Sequence, residues 1–308
     1  MSRVLAVLLA ALCFSTTGTA QALAAVNASP LAVGAARVLV GGGILGLVAL
    51  LAWRSASAAG VPAAAGSRRV PSWAVVALGA AGVLGYQPAF FAGTASNGVA
   101  VGTVVALGSA PVVTGALEGV LRRRAPGVRW AVATTVSLAG VVLVSGLVGQ
   151  GAGPSAISPA GVLASVGAGA SYAVYALASK ELLDRGWPPA RTMGAVFGAA
   201  AVVSLPILLI AGASWLLTPA GAALALWLGV VTTAVAYLLF AWGLARLRAT
   251  TVATLTLAEP LAAALLGLVV LHERLAPSSV LGLAVVAAGL VLLTRPARGA
   301  ARRGSAEA

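Results

Sequence analysis

Long apolar runs, each near the length that crosses a bilayer as a helix, follow one another along nearly the whole chain. Spanning a hydrocarbon core takes about 20 apolar residues in helical form. Ten segments qualify: 4–24, 31–53, 72–93, 97–121, 129–148, 158–179, 191–211, 219–244, 250–271 and 277–294. Proline, glycine or charge marks most of the gaps. The pattern predicts an all-α integral membrane protein with ten transmembrane helices. Arg54 to Pro71, rich in Ala, Gly, Ser and Pro, reads as a flexible loop, and 295–308 as a basic tail. No stretch is left for a separate soluble domain.

The first segment has a second reading. Arg3, an apolar run and Ala22-Leu23-Ala24 also fit a secretory signal with its cleavage site. Removing it would leave nine helices. Thr16, Thr17 and Thr19 place more hydroxyls in the run than a signal core usually carries. A retained first helix is therefore expected.

Composition agrees with a membrane location. Hydrophobic residues make up 60% of the chain and charged residues 8%, with a mean hydropathy of +1.05. Ordinary soluble domains have about 45–50% apolar and about 25% charged residues. The net charge of +13 does not indicate nucleic acid, because the arginines stand singly or in short groups between apolar runs. One cysteine, Cys13, excludes an internal disulfide and a thiolate metal cluster. With a single histidine, His272, a histidine-rich metal site is not expected either. The near absence of lysine beside many arginines points to a GC-rich bacterial genome.

An internal repeat gives the architecture. Val99 to Gly140 aligns with Arg248 to Gly289 at a constant offset, placing Pro111 on Pro260 and Gly140 on Gly289. The loop after this helix carries Arg122, Arg123, Arg124 and Arg129 in the first copy. In the second copy it reads Leu271-His272-Glu273-Arg274. Cytoplasmic loops are enriched in Lys and Arg. Alternating the ten helices puts every basic residue on one side except Arg274 and the intrahelical Arg37. Both termini are then cytoplasmic. Five helices per copy is an odd number, so the halves are inverted, as in many transporters. The copies are expected at 4–148 and 158–294.

Few residues could carry chemistry. No phosphate-binding loop is present, and the one lysine, Lys180, lies in Ala-Leu-Ala-Ser-Lys, so this chain does not hydrolyse ATP. Glu259 falls about 14 Å into the ninth helix at roughly 1.5 Å per residue, next to Pro260. A mid-membrane acid is a functional candidate by default; it can exchange a proton or receive a cationic group. The alternative is a neutral acid bonded to a neighbouring helix. Arg37 could attract a carboxylate on a substrate, or pair with Glu259 or a carbonyl. Tyr86, Gln87, Tyr172 and Tyr175 are polar groups in apolar runs, joined by Thr16 and Thr17 on the first helix. They either line a cavity or bond helices together. Glu118, four residues before Arg122, reads as an intrahelical pair. Trp53, Trp73, Trp130, Trp187, Trp215 and Trp227 read as interface anchors, and Trp242 as a weaker site candidate. His272 with Glu273 reads as a wetted helix end.

Tyr86-Gln87-Pro-Ala-Phe-Phe leads into Gly98-Val-Ala-Val-Gly-Thr and Ala106-Leu-Gly-Ser-Ala-Pro111. Thr256-Leu-Ala-Glu-Pro260 and Leu271-His-Glu-Arg-Leu275 follow in the second copy. In that order, and with the duplication, these segments resemble the EamA family of the drug/metabolite transporter superfamily. The resemblance implies a ten-helix secondary transporter with a central cavity between inverted halves. Members commonly export amino acids, related metabolites or toxic compounds. The glutamate typical of the end of the fourth helix is displaced here to Glu118.

The resulting expectation is a non-enzymatic transporter in a bacterial plasma membrane, moving an amino acid-like or drug-like metabolite by alternating access. Export is the expected direction, with proton coupling through Glu259 and helix breaks at Pro111 and Pro260. An uncoupled facilitator is the alternative, and a membrane enzyme acting on lipid-linked substrates a more distant one. No cofactor, metal or nucleic-acid partner is expected. The bilayer and a small-molecule substrate are, and a homodimer stays open.

Overall fold

A computed structural model describes residues 1–58, 70–123, 125–144, 158–272 and 277–294. Most of the 54–71 loop, Arg124, the 145–157 stretch, Glu273 with Arg274 and the tail from Arg295 lie outside the described residues. The described chain is helical throughout its ordered elements: α1 Arg3–Ala24, α2 Pro30–Ala58, α3 Ser72–Gly98, α4 Val101–Arg122 and α5 Val128–Val144. Then come α6 Pro159–Asp184, α7 Pro189–Ala211, α8 Pro219–Leu244, α9 Ala249–Val270 and α10 Pro277–Thr294. All but α5 are long and apolar enough to cross a membrane, and α5 is a shorter apolar helix. The expected spans match these helices to within a few residues. The chief exceptions are α2 and α6, which run on at their ends, and α3, which continues to Gly98 where a gap was expected.

The packing shows a two-fold exchange of the copies. α1 packs on α8 and α9, while its counterpart α6 packs on α3 and α4. The remaining helices pair with their own counterparts, α2 with α7 and α5 with α10. Close glycine contacts hold both pairs. A Cβ on Gly140 would lie 2.5 Å from the Val286 nitrogen, and one on Gly289 would lie 2.8 Å from that of Ser137. Between α2 and α7, a Cβ on Gly42 would sit 2.4 Å from the Phe197 carbonyl oxygen.

A further close crossing joins α2 to α8. A Cβ on Gly41 would come 2.4 Å from Thr233 Cβ and 2.6 Å from the Gly229 carbonyl oxygen. Gly41→Val is therefore expected to force the helices apart. Overpacking of this kind costs about 1–3 kcal/mol, which a thermal-unfolding measurement in detergent would read as a midpoint several degrees lower. An unchanged midpoint would mean that the crossing yields freely.

Two irregularities shape the interior. α8 contains a π-helical stretch, Val230–Val235. α9 is interrupted at Thr256 and Leu257, dividing it into Ala249–Leu255 and Ala258–Val270. The cause is Pro260: it has no N–H for the Thr256 carbonyl, and its ring crowds that oxygen. The Thr256 oxygen instead accepts from the Glu259 N–H at 2.9 Å, and the Leu257 N–H turns back to the Thr254 oxygen at 3.1 Å. The expected break at Pro111 does not occur. α4 runs through this proline without interruption, and the one non-helical residue between Ser72 and Arg122 is Gly98, at the junction of α3 and α4, with φ 80° and ψ 158°. This left-handed backbone suits glycine alone. Asn97 fixes the spot, accepting from the Ser158 N–H at 2.7 Å and donating to the Ser158 oxygen at 3.1 Å.

Candidate functional site

One end of the bundle carries the described basic residues other than Arg37, and there the helices are tied together. Glu118 of α4 is completely buried. It pairs with Arg122 at 3.3 Å and Arg248 at 3.4 Å, and accepts from the Thr250 N–H at 3.0 Å. The intrahelical pair expected from sequence exists, but it is half of the story. Arg248, the residue before α9, offers no side-chain cap, so a carboxylate from the other copy supplies the acceptor that the first turn of a helix lacks. Arg122 continues to Asp184 at 2.6 Å, and Asp184 to Lys180 at 2.9 Å, extending the network into α6. The Trp130 indole donates to the Thr250 oxygen at 3.1 Å and the Thr254 hydroxyl at 3.0 Å. Arg3 donates to the Trp242 carbonyl at 2.9 Å and lies 3.6 Å from the centre of its ring.

Above this seal is an aromatic layer. Tyr237 is 4.1 Å from Phe197 and 5.0 Å from Phe14 between ring centroids, and Tyr175 is 5.0 Å from Tyr172 and 6.1 Å from Phe240. The layer floors a chamber whose polar wall is formed by Arg37, Tyr86, Gln87, Thr233, Thr256 and Glu259. Five chamber residues, Phe14, Arg37, Tyr86, Gln87 and Glu259, also line a second cavity. That cavity continues past Thr17 and Gln21 of α1, Phe90 of α3 and Gly267 of α9. These positions lie toward the end opposite the arginines. The chamber and this vestibule form one passage, open at that end and stopped at the other.

The π-helical stretch of α8 positions Arg37. Widening the turn leaves a carbonyl free of its usual partner: the Thr232 oxygen accepts from Arg37 Nη2 at 3.0 Å, and the Thr233 hydroxyl from Nε at 3.1 Å. The Thr233 hydroxyl in turn donates to the Leu228 oxygen at 2.9 Å. The close glycine crossing, one helical turn along α2, brings the two helices near enough for this. Of the partners weighed for Arg37, the carbonyl is the one it takes. No ion pair joins Arg37 to Glu259 among the described residues, so a guanidinium and a carboxyl group face one chamber separately. Glu259 comes to the wall because it follows the break in α9, where the Thr256 hydroxyl donates to the Ala253 oxygen at 2.8 Å and lies 3.3 Å from the Tyr172 hydroxyl.

The structure thus brings together Glu259, Arg37, Tyr86, Gln87, Tyr172 and Tyr175, with Thr17 in the vestibule. Thr16 is elsewhere: its hydroxyl donates to the Cys13 oxygen and accepts from the Trp227 indole. Trp242 is also elsewhere, beneath Arg3. Trp215 is buried and Trp130 is bonded across to α9, so neither is a free interface anchor. Sequence reading passed over Phe14, Thr233, Tyr237 and Thr256. Tyr237 had a signal: all four tyrosines of the chain line this chamber.

Comparison with known proteins bears on the family and the fold. The EamA-like transporter family matches the chain twice, over residues 1–146 and 159–295. An uncharacterized transporter of Bacillus subtilis (strain 168), YwfM, is 41% identical over 294 residues, which are 95% of this chain and 93% of that protein. An uncharacterized transporter of Archaeoglobus fulgidus is 32% identical over 137 residues, covering 44% of this chain and 48% of its own. A protein of known crystal structure has the same fold, with a TM-score of 0.76 at 23% identity over 95% of this chain and 96% of that one. Ten apolar helices among the described residues, a duplicated plan and a matching sequence along nearly the full length lead to one conclusion: the chain belongs to the EamA-like transporter family.

Proposed function

We propose that this multi-pass membrane protein is a secondary transporter for a small metabolite bearing both an ammonium and a carboxylate, an amino acid-like solute. The carrying observation is the chamber wall, where Arg37 and Glu259 are held apart across an aromatic-sided space. A guanidinium suits a carboxylate. A carboxylate between aromatic faces suits an ammonium, since ring faces also attract cations. With the basic end in the cytoplasm, the passage opens outward and the seal closes the inner side. Alternating access would then expose the same chamber inward by parting the Glu118 network. Glu259 can exchange a proton for the ammonium group, which would couple export to a proton gradient. On this reading the copies at 4–148 and 158–294 move against each other.

Ligand-induced stabilisation of the purified protein tests the substrate class. Free amino acids are expected to raise the melting temperature, while their esters and N-acetyl derivatives, each missing one charge, do so only at ~10–100-fold higher concentration. That ratio corresponds to about 1.5–3 kcal/mol for a hydrogen bond to a charged group. Arg37→Gln should erase the distinction between acid and ester and keep that between amine and amide. Equal stabilisation by all three forms would overturn the zwitterion reading.

A further inference from the structure

A separate cavity faces the membrane on the outside of the α2–α7 pair, away from both the chamber and the vestibule. Its walls are Leu47 and Leu50 of α2 and Val202 and Leu205 of α7, all exposed, and glycines including Gly43 and Gly198 form its floor. At its basic end stand Trp187 and Arg191, with the guanidinium 4.0 Å from the centre of the indole ring. We infer that this groove holds one anionic phospholipid of the leaflet at the basic end, with an acyl chain along the glycine floor and the phosphate on Arg191.

Charge complementarity singles out this occupant. Arg191 has no carboxylate within ion-pairing distance among the described residues. It stands in the first turn of α7, which has no acidic residue and no side-chain cap. A cation at a helix N-terminus is unfavourable unless an anion answers both. A phosphate does so, and the cytoplasmic leaflet is the one rich in anionic lipid. Length agrees as well. At roughly 1.5 Å per residue, Arg191 to Leu205 covers about 21 Å, enough to span one leaflet of a ~30 Å core.

The floor favours a lipid chain over a second copy of the protein. Small residues drive helix association by letting backbones approach, yet these glycines are already engaged within the chain. A Cβ on Gly194 would lie 2.4 Å from the Leu45 oxygen, and one on Gly198 would lie 3.2 Å from Gly46 Cα. Gly43 differs: a Cβ there would meet nothing within 4 Å. Glycine costs about 1 kcal/mol relative to alanine inside a helix. No packing within the chain requires it at this position, and its effect is to keep the channel clear.

Native mass spectrometry of the intact chain, released from micelles containing phosphatidylglycerol and phosphatidylethanolamine in equal amounts, tests the site. One bound phosphatidylglycerol per chain is expected, preferred at least ~10-fold. Arg191→Gln should remove the preference and Arg191→Lys should keep it. Gly43→Leu should displace the lipid while Arg191 remains, with size-exclusion chromatography and circular dichroism confirming the fold of each variant. Undiminished phosphatidylglycerol retention in both Arg191→Gln and Gly43→Leu would overturn the assignment. So would a dimer that dissociates on Gly43→Leu, which would give the face to a second copy.

Discussion

Glu259→Gln is expected to abolish proton-driven transport in liposomes while leaving the fold intact. Glutamine keeps the shape and the polar tip of the side chain, so the chamber wall persists. What disappears is a group able to carry a proton at one moment and a negative charge at the next. Losing a charge-assisted contact of about 1.5–3 kcal/mol weakens ammonium binding ~10–100-fold. Losing the exchangeable proton removes the dependence on the gradient altogether. The measurement is uptake into, or release from, proteoliposomes with and without an imposed pH difference. Transport that keeps its full dependence on the gradient in the variant would remove Glu259 from coupling. An uncoupled facilitator gives a different result: the parent protein would already be indifferent to the gradient, and Glu259→Gln would change affinity alone.

Glu118→Ala should have the second large effect, on which way the protein faces. The side chain is fully buried and holds α4 to the start of α9 through the Thr250 N–H and the Arg248 guanidinium. Its removal leaves a helix start without its acceptor, at about 1 kcal/mol. It also frees Arg248, which is 44% exposed and can turn to water, while Arg122 keeps Asp184. A total of one to two kcal/mol is a factor of about 5–30 in a population. The state open at the basic end should gain by that factor. The readout is a cysteine introduced as Thr254→Cys, a position completely buried in the closed form, with the native Cys13 replaced by serine. A maleimide added from the basic side should react faster by the same factor when Glu118 is absent. Equal rates would show that the network does not close the passage.

Much of the arrangement was legible in the chain because its signals are additive. Runs of apolar residues fix helix number, and a lone buried acid such as Glu259 stands out against them by cost alone. Arg37, Tyr86, Gln87, Tyr172 and Tyr175 could be singled out on similar grounds: each is a polar side chain set in a mainly apolar run, and the five line one chamber. Rotational phase was not legible. In helices that are apolar all round, no amphipathic stripe says which face meets the cavity, so Phe14 and Tyr237 looked like any other core residues, and Thr16 and Trp242 could not be told from cavity positions. Backbone irregularity was harder still. The π-helical stretch at Val230–Val235 has no proline or glycine inside it, and it shows only through what Arg37 and Thr233 do with the displaced carbonyl. Proline misled in the opposite sense: the same residue breaks α9 ahead of Pro260 and is absorbed at Pro111. Glu118 was read through its near neighbour Arg122, while its partners on α9 are more than a hundred residues away.

That difference between two related arms bears on energy as well as shape. Were the copies identical, exchanging them would turn the form open at one end into the form open at the other. The two forms would then be equal in energy, and neither side of the membrane would be favoured at rest. An arm bent at Thr256–Leu257 beside an arm that runs unbroken through Pro111 removes this degeneracy. The empty protein therefore has a resting preference written into its own divergence from symmetry, before any solute or ion acts on it.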